Sequence, residues 1–245
     1  MPSEPEVRRR SEFPSTHWTV VLAAGHADGT TGQAALAEIC RAYWQPLYAV
    51  ARRLGHSPAD AEDLTQGFFT ELLERPILER ADAARGHFRS YLLGAFKNHL
   101  GNERRHDRAQ KRGGAQRPLS LETGKLESRL VTELGTPRTP EAIYERTWAV
   151  ALMEEAMHRL ESECHHAGRK ELFHKLQPCL GHDSEAGHYA EIARSLGKSE
   201  ASVQAMVSRM RRRYLELLRS VILPTVGRPE EVEDELRHLL QVLSE

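Results

Sequence analysis

The sequence has few cysteines, no long apolar run and almost no net charge, and each shortage excludes a class of protein. Its 245 residues include only three cysteines, an odd number that argues against a disulfide framework and for a reducing compartment. No apolar stretch approaches the roughly 20 residues that span a bilayer, and residues 1–5 lack the apolar core of a signal peptide. We therefore expect a soluble cytoplasmic protein that has no membrane partner.

Familiar catalytic motifs are also missing. The sequence contains no glycine-rich nucleotide-binding loop, nucleophile elbow or paired metal-ligand motif. Cys164, Cys179 and the histidines near them are zinc-ligand types, but their spacings include no C-x-x-C or H-x-x-x-H unit. This pattern favours buried cysteines and loop histidines over a helical metalloenzyme. We predict no catalytic residue, no metal ion and no cofactor.

The hydrophobic pattern predicts an all-α protein. Apolar residues recur three and four positions apart over long stretches, and alternating β-branched runs are scarce. Ser57 followed by Pro58 and an acidic first turn is a strong helix start. The expected helices are 33–54, 58–74, 87–112, 141–162, 167–179, 188–196, 200–222 and 229–243.

Glycine and proline divide the chain into parts. The segment 113–140 follows a helix that ends at Gly113-Gly114, contains three prolines and lacks sustained periodicity. We predict that it is a flexible linker between two small helical domains. The predicted parts are a first domain at 1–112, the linker at 113–140, a second domain at 141–224, and an acidic amphipathic C-terminal helix within 225–245.

Charge is segregated along the chain although the formal net charge is only −1. Residues 57–82 have seven acids and two bases, whereas residues 94–118 have seven bases and two acids. Residues 194–219 again have seven bases and two acids, and the tail 228–245 has a net charge of −4. Two basic segments, one in each predicted domain, are expected of a protein that contacts a polyanion at two places. An acidic tail could also cover a basic helix.

The second basic segment has the pattern of a helix-turn-helix. An apolar stripe ends at Leu196, Gly197 permits a turn, and Ser199 can cap a second helix that ends in an arginine run. In that arrangement the start of the second helix enters the major groove, and its later cations neutralise phosphates. An ordinary charged helical hairpin is the plainer alternative. The candidate DNA-binding residues are Ser199, Glu200, Ala201, Ser202, Gln204, Ala205, Ser208, Arg209 and Arg212.

The first basic segment combines aromatic and cationic residues. Aromatic rings beside a basic groove suit single-stranded DNA, because unstacked bases stack on the rings while cations hold the phosphates. Helical spacing favours a core position for Phe96 and leaves Tyr91 open between core and surface. The candidate residues for melted DNA are Tyr91, Lys97, Asn98, Asn102, Arg104, Arg105 and Arg108.

Three motifs resemble sigma factors of bacterial RNA polymerase, in the extracytoplasmic-function (ECF) group. Residues 60–74 (DAEDLTQGFFTELLE) are similar to the second conserved region, and residues 88–98 (FRSYLLGAFKN) are similar to the adjoining promoter-melting region. The segment from Tyr189 to Arg213 is similar to the helix-turn-helix that recognises the −35 promoter element. The motifs occur in the expected order across the predicted linker.

The resemblance implies a non-catalytic subunit that gives RNA polymerase its promoter specificity. It implies binding to core polymerase, through the clamp helices of the β′ subunit and through the β subunit, and binding to promoter DNA in duplex and melted form. It leaves open an anti-sigma factor or another regulator. By the same resemblance, the polymerase-binding residues are Asp60, Glu62, Asp63, Gln66 and Glu71.

The chain departs from the family pattern at a few positions. Gly67 occupies a position that is commonly acidic, and Gln204 and Met206 occupy positions that are often basic. The main alternative is a stand-alone transcriptional regulator that binds duplex DNA through its helix-turn-helix without polymerase. Co-elution with core polymerase would distinguish a sigma factor from such a regulator.

Overall fold

The computed structural model describes residues 30–74, 87–109, 121–181, 188–226 and 228–244, and every regular element in these ranges is a helix. The predicted all-α class is confirmed. Short 3-10 turns, Leu223–Thr225 and Pro229–Glu231, precede the last helix. The α-helices are α1 Thr30–Arg53, α2 Pro58–Glu74, α3 Phe88–Ala109, α4 Leu121–Leu134, α5 Pro140–His166, α6 Lys170–Leu176, α7 Pro178–Gly181, α8 His188–Leu196, α9 Glu200–Ile222 and α10 Val232–Ser244.

The connection from α1 to α2 follows the local sequence signals. Gly55 has a φ of +90°, in the left-handed region that glycine adopts without strain, so the chain can turn directly after α1. Ser57 then caps α2, because its Oγ accepts a hydrogen bond of 3.2 Å from the backbone N–H of Asp60. This tight turn packs α2 against α1.

The range predicted to be a flexible linker contains a helix, so that prediction is wrong for residues 121–134. Leu126 and Leu130 of α4 are buried, and Glu127 pairs with Arg52 at 2.7 Å. Arg53 also donates to the carbonyl oxygen of Leu134 at 2.8 Å. Of the glycines and prolines that suggested a linker, Gly124 lies in the first turn of α4, and Gly135 and Pro137 follow its end. Residues 113–120 lie outside the described ranges.

The long helix α5 forms the centre of the molecule. Thr139 caps it by accepting a hydrogen bond of 3.2 Å from the Ala142 N–H, and Pro140 occupies its first position. Gly168, with a φ of +68°, follows its end. Its buried apolar residues form a stripe at helical spacing, which consists of Ile143, Tyr144, Trp148, Leu152, Ala156 and Leu160.

Residues 167–179 were expected to form one helix, and the structure divides them between α6 and α7. Pro178 begins α7, because proline has no N–H to continue α6. These short helices pack with α8 and α9 around a small second core. Between α8 and α9, Gly197 has a φ of +61°, and Ser199 accepts a hydrogen bond of 3.3 Å from the Ser202 N–H. Helices α8 and α9 therefore begin and end where the sequence predicts, with the predicted turn between them.

Residues from both predicted domains contribute to one main core. Helix α1 packs along α5, and the same apolar cluster includes Tyr43 of α1, Phe96 of α3, Trp148 of α5 and Leu218 of α9. The predicted organisation was two domains that fold separately, each around its own core. In this structure the main core instead extends from α1 to α10.

The C-terminal helix α10 is acidic and amphipathic, as predicted. Val232, Leu236 and Leu239 are buried, whereas Leu240 is 55% exposed. The helix packs against α5 and the second half of α9, where Glu233 pairs with Arg219 at 2.6 Å. It therefore contacts the end of α9 and not the exposed arginines nearer the start.

Candidate partner and nucleic-acid interfaces

Helix α2 has a polar outer face and an apolar inner face. Phe68 and Leu72 are almost fully buried, and Phe68 meets Phe96 edge-on with 5.2 Å between ring centroids. This packing fixes the rotation of α2, so the polar residues point away from the core. The predicted polymerase-binding residues on the outer face are the exposed Asp60, Asp63 and Gln66 and the half-buried Glu62 and Glu71.

A pocket with a volume of about 670 Å³ lies between α2 and α3, beside this acidic face. At its wall the buried His99 contacts Glu71, with 2.6 Å between Nδ1 and Oε2. A Cβ built on Gly67 would lie 3.8 Å from His99 Nε2, and that nitrogen is buried without a hydrogen-bond partner among the described residues. We call this cavity the Gly67 pocket. Its lining also includes His56, Asp60, Asp63, Leu64, Thr70, Leu100, Glu103 and Arg104.

Helix α3 presents its predicted DNA-binding residues in two groups. Asn98, Asn102 and Arg105 are exposed and lie three and four positions apart, which places them on one face. Arg104 is also exposed but is directed back toward the end of α1, where it lies 3.4 Å from His56 Nε2. The side chain of Arg108 lies outside the described part of the chain.

Two other predicted residues of α3 are less available. Lys97 forms an ion pair with Glu141 at the start of α5. Tyr91 is half-buried and stacks near Phe88, with 6.5 Å between ring centroids, whereas Phe96 is fully buried, as its spacing predicted. The ion pair lowers the pKa of Glu141, because the hydrogen bond from Lys97 favours the carboxylate. Lys97 would have to exchange this carboxylate for a phosphate in order to bind DNA.

The start of α9 is open to solvent. Val203 and Val207 are buried in the second core, and this orientation directs the intervening polar residues outward. Ser202 is half-buried. The exposed candidates are Ser199, Glu200, Ala201, Gln204, Ala205, Ser208, Arg209 and Arg212.

The arginine run of α9 is divided between structural and open positions. Arg211 donates to the carbonyl oxygen of Cys179 at 2.7 Å, which ties α9 to α7. Arg213 pairs with Glu163 of α5 at 2.7 Å, and this guanidinium lowers the pKa of Glu163. Arg209 and Arg212 are exposed, consistent with their selection as phosphate-contacting candidates.

A buried group of charges joins α3, α5 and α10. Arg89 is 6% exposed; its Nε lies 2.9 Å from Glu145, and Nη1 pairs with the buried Glu235. The guanidinium also lies over the ring of Trp148, 4.7 Å from its centroid. Burial raises the pKa of Glu235 despite the opposing effect of Arg89. These contacts hold the beginning of α3 against the second half of the chain.

The cysteines show no sign of a metal centre in the residues that the structure describes. Cys164 and Cys179 are buried, and burial raises the pKa of the Cys164 thiol. No group of three or more histidine, cysteine, aspartate or glutamate side chains within those residues has an arrangement suited to a metal ion. The same ranges contain no helix that combines the length and apolar character needed to cross a membrane.

Comparison with protein families finds a match within the first half of the chain. Residues 39–110 match the family model of sigma-70 region 2. This match supports a sigma-70 family sigma factor, a class of non-catalytic initiation factor that binds core RNA polymerase and recognises the −10 promoter element. No curated protein matches the chain significantly, and no solved structure does.

The sigma-70 region 2 match covers α2 and α3 completely, with both of their candidate surfaces. Two features within it could not be predicted from the sequence alone. No local sequence pattern indicates that Arg89 is buried in an ion pair, because its partners lie 56 and 146 positions away. The Gly67 pocket had a partial signal in the glycine at a commonly acidic position, but the nearness of His99 follows only from the packing of α2 on α3.

Proposed function

We propose that this protein is an ECF-type sigma factor that directs core RNA polymerase to promoters through −10 and −35 recognition. The observation that supports this most strongly is the sigma-70 region 2 match over α2 and α3, where exposed acidic and basic residues lie on neighbouring helices. The protein would act in the cytoplasm as a specificity subunit, without chemistry of its own.

In this proposal each surface has a separate task. The acidic face of α2 docks on the clamp helices of the β′ subunit, where its carboxylates meet basic side chains. The exposed face of α3 at Asn98, Asn102 and Arg105 contacts the melted −10 element, in which unpaired bases are accessible. Flipping a base out of the stack costs a few kcal/mol, which contacts with these residues would offset.

The helix-turn-helix formed by α8 and α9 would recognise the −35 element as duplex DNA. The first residues of α9 would enter the major groove, where Gln204 can pair with adenine and Glu200 can accept from cytosine. Arg209 and Arg212 would bind phosphates on either side. We retain the proposed division into functional parts at 1–112, 113–140, 141–224 and 225–245, although α4 and the shared core show that these parts pack together.

Run-off transcription with purified core polymerase tests the proposal. The full chain should support transcription from a subset of promoters and should co-elute with the core enzyme. A variant with Asp60→Ala and Asp63→Ala should lose both activities while retaining its helical spectrum. Tight binding to duplex DNA without any run-off product or co-elution would favour a stand-alone regulator instead.

A further inference from the structure

The first two turns of α5 present one polar face to α3. Glu141, Tyr144 and Glu145 are three and four positions apart, which places them on the same side of α5. Glu141 pairs with Lys97, and the Tyr144 hydroxyl donates to the carbonyl oxygen of Arg89 at 3.0 Å. Glu145 pairs with the Arg89 guanidinium at 2.9 Å. The start of α5 therefore supplies carboxylates to two cations of α3.

These two cations are held in different ways. Arg89 is buried and also pairs with the buried Glu235, whereas the side chains of Lys97 and Glu141 are 37% and 53% exposed. A buried ion pair is costly to break by removal of one partner, but an exposed pair contributes little to stability. The Arg89 contacts are therefore fixed, and Lys97 can exchange its partner without disturbing the core.

Lys97 lies beside the part of α3 to which the proposed function assigns melted DNA. It directly precedes the exposed Asn98 and is eight positions from the exposed Arg105, about 12 Å along the helix axis. A DNA strand that follows α3 from Arg105 past Asn98 would bring a phosphate to Lys97. A carboxylate and a phosphate both bind an ammonium group by charge-assisted hydrogen bonds, and they repel each other. The two anions would therefore exclude each other from Lys97.

We propose that Glu141 competes with a DNA phosphate for Lys97 and so weakens the binding of single-stranded DNA to α3 in the free protein. This inference rests on the sigma-factor function proposed above and adds an internal control to it. The hydrogen bond from Lys97 lowers the pKa of Glu141, which keeps the competing group ionised at neutral pH. When a strand binds, its phosphate displaces the carboxylate, and the start of α5 loses one attachment to α3.

Fluorescence anisotropy tests the competition, with the full-length protein at low ionic strength and a labelled single-stranded DNA of mixed sequence, about 15 nucleotides long. Glu141→Gln retains the shape of the side chain and removes its charge. It should bind the strand about two- to fivefold more tightly, the effect of releasing a cation from an exposed ion pair. Glu154→Gln is the matched control, because Glu154 is an exposed acid of α5 that pairs with Arg129 of α4. It should bind within about 1.5-fold of the wild type.

A second substitution distinguishes competition from a general effect of charge or structure. Lys97→Gln should weaken binding by about two- to fivefold, and the addition of Glu141→Gln should then change the affinity by less than about 1.5-fold, because no cation is left to compete for. None of these side chains is buried, so circular dichroism should show the wild-type helical spectrum for every variant.

Three results would overturn the proposal. These are an equal gain from Glu141→Gln with and without Lys97, the same affinity for Glu141→Gln and the wild type, and no binding of the strand by any of the proteins. Each of them leaves the proposed function standing, because run-off transcription by the wild type tests that function separately. Absence of a run-off product would instead refute the sigma-factor function, whatever the result with the DNA strand.

Discussion

Arg89 links the first half of the chain to the second through buried contacts. Its charge is buried, so the folded state must supply the interactions that water would otherwise provide. Glu145, Glu235 and the ring of Trp148 supply them from α5 and α10. The Arg89 backbone also takes part, since its carbonyl oxygen accepts a hydrogen bond of 3.0 Å from the Tyr144 hydroxyl. A single side chain at the start of α3 thus links three helices.

Removal of the Arg89 charge should destabilise the protein strongly. Arg89→Met would leave the buried carboxylate of Glu235 and the half-buried carboxylate of Glu145 without this guanidinium, so we expect a loss of about 3–5 kcal/mol in the free energy of unfolding. Urea denaturation followed by circular dichroism would measure it. Arg237→Met is the control, because Arg237 is an exposed partner of Asp234 and should contribute less than about 1 kcal/mol. Equal effects of the two substitutions would contradict the structural role of Arg89.

Glu235 should make stability depend on pH in an unusual direction. Burial raises its pKa above the ordinary value of 4.5. Between 4.5 and the raised value, the unfolded chain has released a proton that the folded chain still holds, so stability falls as pH rises. Glu235→Gln should remove this component. Urea denaturation of both proteins at several pH values above 4.5 measures the difference, which would have the opposite sign if Arg89 controlled the pKa.

At the scale of single helices, α4 shows where sequence patterns fail. Its buried residues, Leu126 and Leu130, are four positions apart, but Gly124 and Gly135 interrupt the window from which periodicity is judged. Arg52 and Arg53 of α1 supply stabilising contacts to α4. Contacts between residues that are distant in sequence produce no recognisable local sequence pattern. By contrast α2, α8 and α9 have caps and stripes of their own, and their bounds were predicted correctly.

Leu130→Ala tests whether α4 belongs to the core. Removal of a buried leucine side chain in a packed helix should lower the free energy of unfolding by about 2–5 kcal/mol. In a flexible linker the same change would have almost no effect. Val131→Ala provides the neighbouring control, because Val131 is 65% exposed. Thermal or urea unfolding of the two variants gives the comparison.

The candidate site residues show the same limit as the helices: local sequence patterns predict which side chains are exposed, but not which of them are paired. The apolar phase of α9 predicted which of its residues face solvent, and Arg209 and Arg212 are indeed exposed. The phase could not predict that Arg211 and Arg213 form internal contacts, since their partners belong to α7 and α5. Exposure of a side chain was therefore predictable from a local pattern, whereas its pairing required the tertiary structure.

This division of the arginine run leads to a prediction for DNA binding. Arg209→Ala and Arg212→Ala should each weaken duplex binding across sequences and reduce the slope of log K against log salt by about 1. Arg213→Ala should change the slope less, because its guanidinium is paired with Glu163 and Glu216. Fluorescence anisotropy over a salt series measures the slopes. A larger change for Arg213 than for Arg209 would contradict the assignment.

At the scale of the whole molecule, the two halves share a core while their candidate surfaces remain on separate helices. Helices α1 and α5 pack along each other, and α10 covers parts of α5 and α9. If the −10 and −35 elements are bound together, the distance between α3 and α9 must match the distance between the two elements on the DNA. The shared core limits how far α3 and α9 can move apart. The ion pair between Lys97 and Glu141 would separate in any such movement.

The shared core also predicts cooperative unfolding. Leu47 is fully buried in α1, and its truncation should lower the unfolding midpoint of α5 and α9 as well as that of α1 to α3. Hydrogen exchange in denaturant, followed by mass spectrometry, reports each helix separately. Loss of protection confined to the first half of the chain would indicate that two domains unfold independently, as the sequence alone suggested.

The long separation between Arg89 and Glu235 has a consequence for synthesis on the ribosome. The two residues are 146 positions apart, so the cation emerges well before the acid that completes its surroundings. Contacts this distant in sequence form late and slow the search for the native state. A nascent chain interrupted before α10 would expose the apolar surface of α5, and quality-control proteases should remove such a fragment.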